Sequence, residues 1–328
     1  MEGLHGTSWF FYSEPRMEGK MRPVFIGIAN RLAAILSLIA LLGSVYVLFI
    51  RPVQLHWGAA PEELARSMPE DNIVAHPVFD ATRAITIRAT PETIWPWLVQ
   101  MGFKRAGFYG YDLIENIGNG SQIRSATSIL PAYQHPQIGD PIPISVAATL
   151  AFGSINPNSW IVWRSRDRPT NGVFIWELVP VDANTSRLIS RIRWSYAPGA
   201  WFKVLGIFTE FADHVAVRRI LQGVRDRAEG RASPPLGLEA LEITGWLLAF
   251  FEFCLAIVLV VVWRRWQVAW GIGLGAGLLL QFILYSDAPF WIRVVLPWLY
   301  LVLIVGYWFR ERHSPMQDPV LVGETTVS

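Results

Sequence analysis

The densest set of polar functional groups in the middle segment of this chain is Tyr109, Tyr111, Asp112, Glu115 and Asn116. If 111–117 is helical, Asp112 and Glu115 lie on one face three residues apart, with Asn116 one position further on. Paired carboxyl groups at a cavity mouth can act as acid and base or orient a ligand hydroxyl. Asp112, Glu115 and Tyr109 are therefore the catalytic candidates. A purely structural role fits the same residues, with Asp112 capping the short helix and both tyrosines forming amphipathic wall.

Other chemistries find less support. The six histidines, His5, His56, His76, His135, His214 and His313, are scattered, and neither H-x-x-x-H nor HExxH spacing occurs. No metal site and no cofactor are expected. No G-x-S-x-G elbow presents a nucleophilic serine. His214 follows Asp213 on a long helical stretch, where a structural place suits it as well as a cavity-facing one. The single cysteine, Cys254, cannot close an intrachain disulfide or supply a thiolate cluster. Arg164, Arg166, Arg168, Arg187, Arg191 and Arg193 interleave with Trp160, Trp163 and Trp194, superficially like an RNA-binding sheet. With 28 Lys and Arg against 26 Asp and Glu, the net charge of +2 gives no nucleic-acid footprint. The expectation is a solvated outer face pairing with Asp167 and Glu177, or else touching anionic lipid head groups.

The elements that must position these residues read as an α+β domain. Residues 84–88 alternate as a strand, and Thr90 then starts a helix with Pro91 in its first turn, burying Ile94, Trp95, Leu98 and Val99 and ended by Gly102. Residues 159–164 form a second strand. Residues 173–181 and 186–196 form a hairpin across Asp182-Ala183-Asn184, with Asn184 expected in the left-handed position. That register puts Phe174, Trp176 and Leu178 on one face with Leu188, Ser190, Ile192 and Trp194. Glu177 falls on the other face, beside Arg187 and Arg191. Residues 199–230 form a long helix with Trp201, Leu205, Phe208, Ala212 and Val215 on one stripe, the natural cover for the sheet.

Around this domain the composition changes. Over 328 residues, 52% are apolar, only 16% are charged, and sixteen are tryptophan. Four runs concentrate the apolar residues: 32–50, 243–263, 266–285 and 290–309, each long enough to cross a bilayer as a helix. Trp246, Trp263, Trp266, Tyr285, Trp291, Tyr307 and Trp308 sit at their ends, where amphipathic rings settle. The first run exceeds a cleaved signal peptide's apolar stretch and lacks a clear A-x-A site, so it reads as an uncleaved anchor. Arg16, Lys20, Arg22, Arg264, Arg265, Arg310 and Arg312 all fall on one side of a four-span topology. Both termini are thus expected in the cytoplasm and residues 51–242 outside. Within the spans, Gly271, Gly273, Gly275 and Gly277 suggest close helix packing, and Glu252 lies near mid-bilayer.

The stretch 82–102 resembles the opening of the SRPBCC superfamily (START, Bet v 1 and polyketide-cyclase-like proteins). More specific is Gly107-Phe-Tyr-Gly-Tyr-Asp-Leu-Ile-Glu-Asn116, followed by Arg124-Ser-Ala126 and Ile138-Gly-Asp140. These are similar to a GFYSYDWLEN…SAD…VGD pattern of a bacterial, often membrane-anchored subgroup, as are His56-Trp57-Gly58-Ala59 and Pro61-Glu62-Glu63. The resemblance covers 55–230 and has no counterpart for the last three spans. It implies a helix-grip fold, an antiparallel sheet around a long C-terminal helix, with a deep apolar cavity that takes a hydrophobic small molecule or lipid.

The organisation expected is an N-terminal tail (1–31), an apolar span (32–50), a lead-in segment (51–80) and the helix-grip domain (81–230). A linker (231–242), spans at 243–263, 266–285 and 290–309, and a tail (310–328) complete it. Expected ligand walls are Trp95, Tyr109, Tyr111 and Asn116 near the polar cluster, and Phe174, Trp176, Leu188, Ile192 and Trp194 on the sheet. Phe208 and Phe211 are expected to add the helix side. The leading expectation is a protein of a bacterial plasma membrane that binds a hydrophobic small molecule or lipid and no nucleic acid. A cyclase-like enzyme using the 109–116 cluster stands beside it. So does a channel or signalling protein centred on Glu252 and the last three spans. The oligomeric state and any reaction stay open.

Overall fold

The structure is a computed structural model and describes residues 18–117, 124–146, 148–166, 171–195 and 200–313. The terminal tails therefore lie largely outside the described residues, as do Asp167, Arg168 and the side chains of Trp201 and Leu205.

Helix α1 (Glu18–Val45) continues through a π-helical turn (Tyr46–Ile50) into α2 (Arg51–Leu55). The helical path thus outlasts the expected end at Ile50. Pro52 has no N–H, and its ring crowds the carbonyl one turn back; the wide π turn before it accommodates both. The apolar stretch Phe25–Leu55 has 31 residues, about 46 Å at 1.5 Å per residue against about 30 Å of hydrocarbon. Its last turns are therefore free to enter the domain.

The domain begins with α3 (Pro61–Ala65), then β1 (Phe79–Ile87) and α4 (Pro91–Val99). A short α5 (Asp112–Glu115) precedes β2 (Pro141–Pro143), β3 (Thr149–Asn156), β4 (Trp160–Ser165), β5 (Gly172–Asp182) and β6 (Thr185–Trp194). The six strands form one antiparallel sheet in the order β1-β6-β5-β4-β3-β2, and α6 (Ala200–Ala228) lies across it. The hairpin has the expected register, with Phe174 opposite Ile192, Trp176 opposite Ser190 and Leu178 opposite Leu188. Its turn differs. Asp182 pairs with Thr185, and the Asp182 carboxylate accepts the Asn184 N–H at 2.8 Å, which holds the turn without a left-handed Asn184.

One sheet face, with Ile85, Ile87, Trp163, Phe174, Trp176 and Leu188, packs on Ile94, Leu98, Val217, Leu221 and Val224 of α4 and α6. In α4 it is Trp97 that turns inward, while Trp95 is half-buried. The buried stripe of α6 runs through Glu210, His214, Val217, Leu221 and Val224, whereas Phe208 and Ala212 are exposed. The expected apolar stripe is rotated because this helix buries polar side chains that find partners. Arg51 grips Glu210 with two bonds of 2.7 Å. Arg83 of β1 donates to Asp213 at 2.5 Å and to the Gln54 carbonyl at 2.8 Å, and His214 Nδ1 lies 3.1 Å from that same carbonyl.

The opposite sheet face is also covered. Met68 and Val74 pack over Ala84, Val162, Val173, Ile175 and Ile189. Of the six arginines expected in solvent, Arg166 is exposed, but four are paired: Arg164 with Glu70, Arg187 with Glu63 and Arg191 with Asp71 of the lead-in segment, and Arg193 with Asp80 at the start of β1. Glu177 takes Arg66. Lead-in acids thus occupy the place assigned to water or lipid head groups.

Helices α7 (Leu236–Val262), α8 (Trp266–Tyr285) and α9 (Phe290–His313) complete the chain. Among the described residues, four helices are long and apolar enough to cross a membrane. Arg218 of α6 donates to the carbonyls of Leu284 (3.2 Å) and Ser286 (2.8 Å) and pairs with Asp287 at 3.0 Å, so the domain clasps the α8–α9 turn. At the far end of the helices, Arg31 reaches the carbonyls of Val261 and Trp263 beside the α7–α8 turn. The domain and the α8–α9 turn therefore share one side, and the Arg264–Arg265 turn lies at the other.

Candidate functional site

The polar cluster sits on a loop forced into a tight path. Gly107 (φ 73°) and Tyr109 (φ 65°) both take left-handed backbone conformations, which for tyrosine persists only where the surroundings fix it. Those surroundings are specific. The Tyr109 ring is buried edge-on to Trp97 at 5.9 Å. Its hydroxyl donates to the Trp97 carbonyl (3.1 Å) and accepts from Gln100 Nε2 (2.9 Å). Arg227 lies 4.3 Å over the ring from the α6 side. Gly223 of α6 lets the Tyr109 backbone rest directly on the helix, since a Cβ there would come within 2.7 Å of the Tyr109 Cβ. Burial pushes the Tyr109 hydroxyl above its ordinary range, which keeps it protonated and a fixed donor.

Asp112 opens α5 without capping it; its carboxylate accepts the Ser125 N–H (3.1 Å) and hydroxyl (2.6 Å). Ser125 Oγ in turn accepts the Tyr109 N–H at 3.0 Å. Glu115 accepts the backbone N–H groups of Phe108 and Gly110, and burial, reinforced by the charge on Asp112, pushes its carboxyl up to about 7. Asn116 Nδ2 donates to the Asp112 carbonyl at 2.6 Å. Tyr111 stacks edge-on against Trp246 of α7 at 5.2 Å, and burial pushes its hydroxyl up to about 12.

The two carboxyl groups line different cavities. Glu115 and Asn116 border a pocket of about 370 Å³ with Phe103, Lys104, Ile114 and Ile117. Asp112 borders a groove of about 880 Å³ between the domain and the head of α7. Its domain wall is Trp97, Tyr109, Ser125 and Leu130; α6 contributes Arg219, Gly223, Asp226 and Arg227; and Arg231, Pro234, Pro235 and Glu239 close the third side.

No protein-family model matches the chain, and no curated protein matches it. Solved structures do. One is a protein from Mesorhizobium loti, with 15% identity over 44% of this chain and 96% of the other, TM-score 0.26. A polyketide cyclase-like protein from Corynebacterium glutamicum matches at 13% identity over 44% and 88%, TM-score 0.28. A START superfamily protein from Mycobacterium smegmatis matches at 13% identity over 46% and 97%, TM-score 0.27. Each is matched along most of its length by less than half of this chain.

The expected wall residues are dispersed. Phe174, Trp176 and Leu188 are buried in the packed face of the sheet, with Phe174 and Trp176 edge-on at 4.7 Å. Ile192 and Trp194 pack on Leu55, Phe79 and Ala81 beside the end of α2. Phe208 is 69% exposed, and Phe211 bridges it to Tyr285 of α8. Trp95 packs half-buried against the core. Of the expected set, Tyr109 and Asp112 line the groove and Asn116 and Glu115 the smaller pocket, while Tyr111 anchors the loop to α7. Arg219, Gly223 and Arg227 were not anticipated, although their i, i+4, i+8 spacing puts them on one helix face. Ser125 belongs to the Arg124-Ser-Ala126 motif, and its role as the link between Tyr109 and Asp112 emerges only from the fold.

Proposed function

We propose that this chain is an integral protein of a bacterial plasma membrane whose helix-grip domain binds a lipid or a similar hydrophobic molecule at its membrane-facing end. The observation that carries the reading is the groove of about 880 Å³, built from the domain on two sides and from the head of an apolar helix on the third. A ligand with a long apolar part enters such a groove from the bilayer without crossing water. Its binding energy comes from apolar burial, at roughly 25 cal/mol per Å², while a few polar groups fix its orientation. Both termini face the cytoplasm in this reading, and residues 51–242 lie outside.

The test is photocrosslinking of the full chain in nanodiscs with a lipid carrying a diazirine on its acyl chain. Adducts concentrated in 97–130 and 219–239 are expected. Adducts confined to the outward faces of α1, α7, α8 and α9 would overturn the reading.

A second reading is favoured by Glu115, whose carboxyl titrates near neutrality in a pocket of about 370 Å³ beside Lys104 and Asn116. That is the poise a general acid or base needs at physiological pH. Mass spectrometry of a lipid extract incubated with the protein checks it. A product that forms with the parent and not with Glu115→Gln supports it, and no change in the extract rules it out.

A further inference from the structure

We infer that the groove selects an anionic head group, a phosphate or carboxylate oxyanion, held by Arg219 with Arg124 as the second cation. The inference rests on the lipid-binding reading above and deepens it. Four arginines and three acids line the groove, and most are already engaged. Arg227 donates to the carbonyls of Ala126 (2.8 Å) and Gly223 (3.1 Å) while covering the Tyr109 ring. Arg231 pairs with Glu229 and lies 3.7 Å from Asp226, which also meets Arg225 at 3.3 Å. Asp112 is held by Ser125, and Glu239 accepts the Leu113 N–H at 3.4 Å.

Arg219 is different. Among the described residues it makes no hydrogen bond and no ion pair; its guanidinium lies 5.3 Å over the Tyr111 ring, and its Nε is buried without a partner. A buried N–H left unmade is costly, and a guanidinium's planar fork matches an oxyanion in two-point contact. The Tyr111 ring lies within cation–π range of it. Arg124 stands exposed on the same rim. Glu239 lies within electrostatic reach of Arg219, but its carboxylate accepts the Leu113 N–H and makes no ion pair with the guanidinium among the described residues, so the fork stays open to a ligand oxyanion. Pro234, Pro235 and Glu239 line the groove at the head of α7, about two turns before that helix's uncharged run from Ile243, so in the membrane reading the groove would lie near the head groups.

A bilayer lipid and a soluble anion both supply this chemistry, and the experiment separates them. Full-length protein in neutral detergent, stripped of lipid, is titrated with dioleoyl phosphatidylglycerol, with dioleoylglycerol and with inorganic phosphate, read by native mass spectrometry. We expect phosphatidylglycerol to bind about tenfold more tightly than dioleoylglycerol, the value of one charge-assisted two-point contact. Arg219→Gln should reduce that preference to about twofold with dioleoylglycerol binding unchanged, and Arg219→Lys, which keeps the charge and loses the fork, should fall between. Should Arg219→Gln not fold, Arg124→Gln, at an exposed position, is expected to lower the preference about threefold. Phosphate that binds alone and displaces the lipid supports the oxyanion site and assigns it to a soluble anion. Equal binding of both lipids by the parent protein overturns the inference and leaves lipid binding standing. Binding of none of the three overturns both.

Discussion

At the scale of single residues, two buried titratable groups act on stability in opposite directions over the same pH range. Glu115 is pushed up to about 7 by burial and by Asp112. As pH rises from about 4.5 the unfolded chain loses this proton while the folded chain keeps it, so stability falls until pH passes 7. His214 is pushed down to about 3 by burial, with Arg83 and Arg218 adding to the effect. Below about 6.5 the unfolded chain gains a proton that the folded chain refuses, so stability falls on acidification. Each slope is about 1.4 kcal/mol per pH unit at most. Between about pH 4.5 and 6.5 the two contributions nearly cancel in the parent protein. Thermal denaturation in detergent should therefore show Glu115→Gln losing stability as pH drops through this window and His214→Gln gaining it. If the two variants show the same slope as the parent, neither group is buried as described. A second residue-scale prediction concerns Gly223. Alanine there pushes a methyl group into the Tyr109 backbone, so Gly223→Ala should cost about 1–3 kcal/mol of stability, as overpacking does. Gly27, whose Cβ position is open, is the control, expected to tolerate alanine without loss.

At the scale of elements, α6 is the part that joins domain to apolar helices, and Arg218 is its hinge pin. Its guanidinium bonds two carbonyls where α8 ends and stacks 5.6 Å over Trp57, whose indole N–H donates to Asp287 at 3.0 Å. Asp287 is 65% exposed, so the ion pair adds little. The loss in Arg218→Ala should come from two unmade bonds to a charged donor, roughly 2–4 kcal/mol. Hydrogen exchange should rise in 284–289 and 51–57 together in that variant; a rise confined to α6 would contradict the clasp. This element also marks where sequence patterning stopped being informative. The β5–β6 register was legible because Phe174, Trp176 and Leu178 alternate strictly and their partners match, so a slip of one residue would bury Glu177 with them. The stripe of α6 was misplaced because Glu210, Asp213, His214 and Arg218 look solvent-facing until Arg51, Arg83, Gln54 and the α8 carbonyls are brought to them. The arginines of β4 and β6 were misread for the same reason, their acids lying up to 124 residues away in the lead-in segment. The groove was invisible because its three sides come from separate stretches of chain. Only its Tyr109–Asp112 edge was marked, by density of polar groups.

For the whole molecule, the reading proposed above turns on which side of a membrane the domain occupies, because that fixes which leaflet would feed the groove. The Arg218 clasp places the domain with the Ser286–Pro289 turn, and the Arg31 contacts place the middle of α1, where the 32–50 run begins, beside the Arg264–Arg265 turn. Arg264 and Arg265 therefore lie at the end remote from the domain, the end that the reading proposed above puts in the cytoplasm by the orienting effect of Lys and Arg. Glu252 of α7 has both carboxyl oxygens buried without a partner among the described residues. It is buried on the α7 face that also carries Ala249 and Ala256, and an ion held there would cost several kcal/mol. Glu252→Gln should accordingly leave stability within about 1 kcal/mol of the parent. Orientation is read with cysteines, starting from a Cys254→Ala background, since Cys254 is the native thiol and is exposed. Ala288→Cys, Asn184→Cys in the β5–β6 turn and Arg264→Cys are introduced one at a time in intact cells. A membrane-impermeant maleimide should label positions 288 and 184 from outside and reach 264 only after permeabilisation. Labelling of 264 alone from outside would invert the protein and give the groove to the inner leaflet. Labelling of 288 and 184 from opposite sides would break the clasp itself, because residues joined through Arg218 and the sheet cannot be separated by a bilayer.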